Sequence, residues 1–212
     1  MYLTETRQPK LVAPVFHLDC TTACAPMAPL PPLCNKALEQ AISNARSLAL
    51  NAAQRLEANP RSTQVVNEFR RFFDHDPGQS LPWPGLRDSG LRFARRYRAV
   101  AEALLNAGTL YRCDNCLQIR SEPPASAILD VHAIALPPNE VLLCPSFWQL
   151  PRFQMAGVIL HEMFHLRFDP CFVHGACETK RTSAYCYEGF AMTIAKQAPE
   201  QLVLDRCTKL KK

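Results

Sequence analysis

The sequence predicts an α+β fold, with a helical N-terminal half, a small β-sheet, a motif-bearing helix and a closing helix. Three observations favour this class. Apolar residues recur at helical spacing in residues 35–106, short proline-punctuated apolar stretches follow in residues 109–145, and the helical pattern returns after residue 152. We find no internal repeat. Residues 1–34 are rich in proline and contain three cysteines, so we expect an irregular arm there, and with no clear domain boundary we expect a single domain over residues 35–212.

Three helices are predicted in the first half. The first covers residues 35–59 and stops before Pro60. Ser62 is the expected N-cap of a second helix that runs to about residue 73, with valines and phenylalanines on its apolar side. The third is expected over residues 88–106, ending at Gly108.

The middle of the chain predicts strands in "TLYRC", "AILDVHAIAL" and "EVLLCP", with "PPNE" as the turn between the last two. We expect the "VLLCP" strand to form a sheet edge on which an extended peptide could be held. A helix over residues 153–168 follows. The closing helix is predicted in "SAYCYEGFAMTIAKQ", ended by Pro199.

Composition excludes several classes of protein. Of 212 residues, 48% are hydrophobic and 20% are charged, which is typical of a globular protein. No apolar run approaches the roughly 18 residues of a membrane span. The net charge of +5 is mild, and the cluster of Arg92, Arg95, Arg96 and Arg98 is typical of a solvated helix face. We expect neither a membrane span nor a nucleic-acid partner.

Ten cysteines form an even set, which favours disulfide bonds and an oxidising compartment. The alternative is a structural zinc site, but Cys113 and Cys116 form a single CxxC with no second one. The first 16 residues show no signal-peptide pattern. We therefore expect an extracytoplasmic protein, secreted or periplasmic, whose signal has been removed or which is exported by another route.

The segment "VILHEMFHLRF" contains the pattern H-E-x-x-H. His161 and His165 are four residues apart, so on a helix both imidazoles share one face and can bind a single Zn²⁺. Glu162 can then act as general base towards a water activated by the metal. The alternative is a pair of core histidines satisfied by hydrogen bonds.

A catalytic zinc needs a third protein ligand. Glu188 is the first candidate, because it lies in an otherwise apolar helix and requires a charge partner. His174 is the second candidate, at a workable distance after His165. Asp169 and Glu178 are weaker ones, since each is typical of a solvated charge.

A tyrosine near Glu188 could donate a hydrogen bond to the oxyanion of a tetrahedral intermediate. Tyr185 is three residues from Glu188 and shares its helix face, whereas Tyr187 points elsewhere. Tyr185 is therefore the preferred donor, with His174 as an alternative. A tyrosine packed in the core is the competing interpretation.

Four segments, "YRCDNC", "VLLCPSFWQL", "AGVILHEMFH" and "AYCYEGFA", resemble in order and spacing the deuterolysin-like zincin metallopeptidases. This group comprises the aspzincins, including the lysine-specific metalloendopeptidases, and the likeness covers roughly residues 110–195. The resemblance implies a zincin-like fold and a secreted, disulfide-bonded endopeptidase with one Zn²⁺. It also implies that His161 and His165 are ligands and Glu162 is the base.

The chain departs from that group after the second histidine. Aspzincins take a third ligand from an aspartate in "GTxxDxxYG", whereas this chain reads "LRFDPCFVHGACET", with His174 at about that place. "YEGFA" is similar to the "NEGFA" of gluzincins, in which the glutamate is the third ligand, and this favours Glu188. Such a mixture also resembles toxin peptidases that bacteria deliver into rivals, for which an immunity or inhibitor protein is expected.

The expected function is therefore a zinc-dependent endopeptidase acting on polypeptides. One alternative is an antibacterial peptidase that cleaves peptidoglycan cross-links. A second is a catalytically inactive, secreted zinc-binding protein, against which the intact Glu162 argues. A third is a disulfide-bonded interaction protein with incidental histidines.

Overall fold

The computed structural model describes residue 20 and residues 32–80, 88–106, 108–114, 116, 131–168 and 179–210. Within these residues the helices are α1 Pro32–Glu57, α2 Thr63–Phe73, α3 Ser89–Ala103, α4 Arg152–Arg167, α5 Ala184–Ile194 and α6 Gln201–Lys209. The strands are β1 Leu110–Cys113, β2 Ala133–Leu136 and β3 Glu140–Leu143, and a 3-10 helix covers Pro145–Gln149. This arrangement confirms the α+β class.

The N-terminal helices agree closely with the sequence patterns. α1 begins three residues before the predicted start, because Pro32 is tolerated in the first turn of a helix. The Ser62 side chain accepts a hydrogen bond from the N–H of Val65 at 3.3 Å, which confirms it as the N-cap of α2. Asp88 caps α3 in the same way.

The three-stranded sheet has the order β1-β3-β2. β1 pairs with β3 in parallel, and β2 pairs with β3 antiparallel across the predicted turn. β3 is therefore the central strand, and the expectation that it forms a sheet edge is wrong. The physical reason is its pairing on both sides, with β1 along one side and β2 along the other. β2 is an edge strand of the described sheet.

The C-terminal helices differ from the sequence prediction in two places. α5 ends at Ile194, several residues before Pro199, and α6 was not predicted. α6 buries Val203 and Cys207, which are four residues apart and hence on one face. α4, which carries the H-E-x-x-H segment, is buried from Met155 through Phe164.

An aromatic core fixes α5 against α4. The rings of Phe164 and Tyr187 lie 4.3 Å apart between centroids. The hydroxyl of Tyr97, from α3, donates a hydrogen bond to the backbone oxygen of Tyr187 at 2.7 Å. Two helices that supply site residues are thereby held in one rigid arrangement.

Disulfide bonds join Cys20 to Cys34, Cys116 to Cys144 and Cys186 to Cys207. Cys113 is disulfide-bonded as well. These bonds confirm the disulfide prediction and leave the CxxC thiols without a zinc-binding role. None of the described helices is long and apolar enough to cross a membrane.

Candidate functional site

A cavity of about 250 Å³ opens beside the motif helix. Its walls come from α4, from β2 and the residues just before it, from the start of α5, and from α6 with the residue before it. Apolar side chains of β2 and α6 make much of the lining. The titratable side chains that face the cavity include the predicted His161, Glu162, His165, Tyr185 and Glu188.

The two motif histidines lie next to each other in the cavity. The Nε2 atoms of His161 and His165 are 3.0 Å apart. Two nitrogen ligands on a tetrahedral zinc, at about 2.0–2.1 Å each, are separated by about 3.3 Å, so the pair fits a shared metal with a small adjustment. Among the described residues, no group of three His, Cys, Asp or Glu side chains is placed to hold a metal ion. The structure thus brings together two of the predicted ligands.

Glu162 faces the edge strand. Its Oε2 accepts a hydrogen bond from the backbone N–H of Ala135 at 2.7 Å. The residue is only 7% exposed. Burial raises the pKa of Glu162 to about 8, although the hydrogen bond from Ala135 lowers it. A carboxylate with a pKa near neutrality is suited to accept and return a proton.

Glu188 contacts the Nδ1 atom of His161. Its Oε2 lies 3.1 Å from Nδ1 of His161, and the two residues are 3% and 5% exposed. Burial raises the pKa of Glu188 well above its usual value, and the Glu200 and Glu162 carboxyls raise it further. That Glu188 is a direct zinc ligand stays a prediction.

The tyrosines are placed as their spacing predicts. The Tyr185 ring lies 4.4 Å from that of His161 and lines the cavity. Tyr187 is fully buried in the aromatic core, where its hydroxyl contacts Arg96. Tyr185 is therefore within reach of a molecule in the cavity.

Three other candidates, Asp169, His174 and Glu178, lie outside the described residues. Their predicted roles as third ligand or, for His174, as oxyanion donor stay predictions.

Two residues that line the cavity were not predicted from the sequence. His132 Nε2 lies 3.3 Å from Oε2 of Glu200, and both side chains are less than one-fifth exposed. His132 could have been found from the sequence, because it is a histidine inside the apolar stretch "DVHAIAL". Glu200 gave no such signal, because it precedes a helix that was not predicted.

No protein-family model matches this chain, and no curated protein matches it significantly in sequence. We therefore infer its function from the residues of the cavity.

Proposed function

We propose that this chain is a zinc-dependent peptide hydrolase with a zincin-like site. His161 and His165 hold the metal, and Glu162 is the general base. One observation carries the proposal: the two Nε2 atoms lie 3.0 Å apart in a cavity that Glu162 also lines. A pair of histidines that served only to fill a core would not need a cavity or an adjacent buried carboxylate.

The chain's own residues supply the proton transfers. Zinc, when bound, acts as a Lewis acid and makes a water molecule more acidic. Glu162 accepts the proton of the attacking water and passes it to the leaving amine. Burial raises the pKa of Glu162 to about 8 in the metal-free protein, which favours retention of the proton once the carboxylate has accepted it.

The substrate is an extended polypeptide, bound beside β2. Ala133, Ile134 and Ala135 of this edge strand line the cavity next to Glu162. Main-chain hydrogen bonds to a sheet edge hold a peptide largely independently of its sequence, which suits an endopeptidase. Tyr185 lies at the same cavity and is the proposed oxyanion donor.

The disulfide bonds favour an extracytoplasmic place of action, because such bonds persist in oxidising compartments. There the enzyme meets external polypeptides or the peptides of a cell wall. If the enzyme is a delivered toxin, its producer is expected to make an immunity protein that covers the cavity.

The test combines zinc content with hydrolysis. We expect one zinc per chain by elemental analysis in the wild type and in Glu162→Gln, and none in His165→Ala. Casein hydrolysis should fall by roughly 10²- to 10⁴-fold in Glu162→Gln, because only the base is removed. His75→Ala is the matched control, since His75 is a histidine that does not line the cavity.

Purified peptidoglycan serves as a second substrate in the same assay. Cleavage of peptidoglycan but not of casein would identify the protein as a peptidase of cell-wall peptides that uses the same zinc chemistry. A wild-type protein that takes up no zinc after incubation with zinc chloride would contradict the proposal. Full hydrolysis by Glu162→Gln would contradict the assignment of the base.

A further inference from the structure

The Glu188 carboxylate and the His165 imidazole contact different nitrogens of the His161 ring. Glu188 Oε2 is 3.1 Å from Nδ1 of His161, and His165 Nε2 is 3.0 Å from its Nε2. An imidazole uses one nitrogen for a metal and the other for a hydrogen bond, and the hydrogen bond fixes which nitrogen carries the proton. Nδ1 of His161 contacts Glu188, and its Nε2 faces His165.

Gly157 explains why Glu188 can take this position. It lies one helical turn before His161 on α4. A Cβ atom at Gly157 would stand 2.6 Å from Oε1 of Glu188 and 2.7 Å from Sδ of Met192. The absence of a side chain at this position lets the Glu188 carboxylate lie against α4, level with the Nδ1 side of His161.

The contact between Glu188 and His161 is buried. The side chains of His161 and Glu188 are almost completely shielded from water, so Nδ1 has little access to a solvent partner in place of Glu188. A buried polar atom that loses its partner is costly, and the pair therefore holds the ring in one orientation.

We propose that Glu188 is a positioning residue, which accepts a hydrogen bond from Nδ1–H of His161 and so presents the Nε2 lone pair of His161 towards His165. This inference rests on the proposed zinc site and gives Glu188 a role other than that of third ligand. A carboxylate partner at the far nitrogen also makes a ligating histidine more basic. Gly157 contributes to the same arrangement, because it provides the space that Glu188 occupies.

The tautomer of His161 tests the proposal without any metal. Heteronuclear NMR of the histidine ring nitrogens in metal-free wild-type protein should show the proton of neutral His161 on Nδ1. In Glu188→Ala, the proton should be distributed between the two nitrogens. A proton on Nε2 of His161 in the wild type, as expected if a protonated Glu188 donates to Nδ1, would overturn the proposal.

Zinc affinity, measured by competition with a chromogenic chelator, is the second readout. Glu188→Gln retains an oxygen that can accept from Nδ1–H, so its affinity should stay within a few-fold of wild type. Glu188→Ala should lose roughly 10- to 100-fold and still bind one zinc per chain. Glu39→Gln is the matched control, since Glu39 is an exposed carboxylate on α1 that does not line the cavity.

If Glu188→Gln and Glu188→Ala both abolish zinc binding, as His165→Ala is expected to do, Glu188 is a ligand and the proposal is wrong. If the wild type itself binds no zinc, the proposed function fails first. The tautomer measurement on the wild type separates the two failures, because it needs neither zinc nor a variant.

Discussion

Each of three carboxylates that line the cavity has a specific partner. Glu162 accepts from the Ala135 N–H, Glu188 contacts His161, and Glu200 contacts His132. Ionised carboxylates are costly to bury, and a single hydrogen bond offsets only part of that cost. These carboxyl groups are therefore more stable when they carry a proton or have a cation nearby.

The metal-free protein should become less stable as the pH rises through the pKa of Glu162. Burial raises this pKa from 4.5 to about 8 in the folded state. The stability contributed by the protonated group is fully present below the unfolded-state value and is lost as the pH rises through the folded value. Denaturant unfolding with a chelator present should show a loss on the order of a few kcal/mol between about pH 5 and pH 9.

Glu162→Gln should flatten part of this dependence, because the neutral amide does not titrate. The residual slope reports Glu188, whose pKa is also raised by burial. Glu39→Gln, an exposed site on α1, is the control and should keep the wild-type slope. An unchanged slope in Glu162→Gln would show that Glu162 is not buried as described.

At the scale of elements, the site depends on the close packing of α4 and α5. Gly157 on α4 lies against Glu188 and Met192 of α5. Phe164 and Tyr187 pack the same two helices together further along. A shift of either helix would therefore separate Glu188 from His161.

Gly157→Ala tests this packing. The added Cβ would lie under 3 Å from Glu188 Oε1 and Met192 Sδ, so both side chains must move. We expect weaker zinc binding, because Glu188 is displaced from His161, while the change in the free energy of unfolding is small, because alanine favours the helix by about 1 kcal/mol over glycine. Gly108→Ala is the matched control, since nothing lies within 4 Å of its added Cβ. Wild-type zinc affinity in Gly157→Ala would contradict the described contact.

The disulfide bond between Cys186 and Cys207 ties α5 to α6, which lines the cavity through Leu202, Val203 and Arg206. Replacing both cysteines by serine opens a loop with a sequence separation of 21 residues. Thermal unfolding should show a destabilisation of about 3 kcal/mol, and hydrolysis should weaken because α6 loses its tether.

The bond between Cys20 and Cys34 provides the comparison, because neither cysteine lines the cavity. Its removal should lower stability and leave the hydrolysis rate of the folded protein unchanged. Equal effects of the two removals on hydrolysis would contradict a specific role for α6 at the cavity.

At the scale of the whole molecule, features set by local sequence were predictable. Ser62 caps α2 as expected, because capping depends on residues within one turn. His161 and His165 adjoin each other because helical spacing alone brings them together. The placement of Tyr185 at the cavity and of Tyr187 in the core follows from the same periodicity.

Features set by contacts between distant segments were not predictable from local patterns. The central position of β3 depends on its parallel pairing with β1, about 30 residues earlier in the chain. His132 and Glu200 meet only because the segment before β2 and the start of α6 converge on one cavity. The contact of Glu188 with Nδ1 of His161 likewise depends on how α5 packs on α4.

The most direct test of the central claim is a crystal structure of the zinc-loaded protein with anomalous diffraction data recorded at the zinc absorption edge. We expect one strong anomalous peak within about 2.1 Å of Nε2 of both His161 and His165, with Glu162 beside it. A peak elsewhere in the molecule, or none at these two nitrogens, would contradict the assignment of this cavity as a zinc hydrolase site.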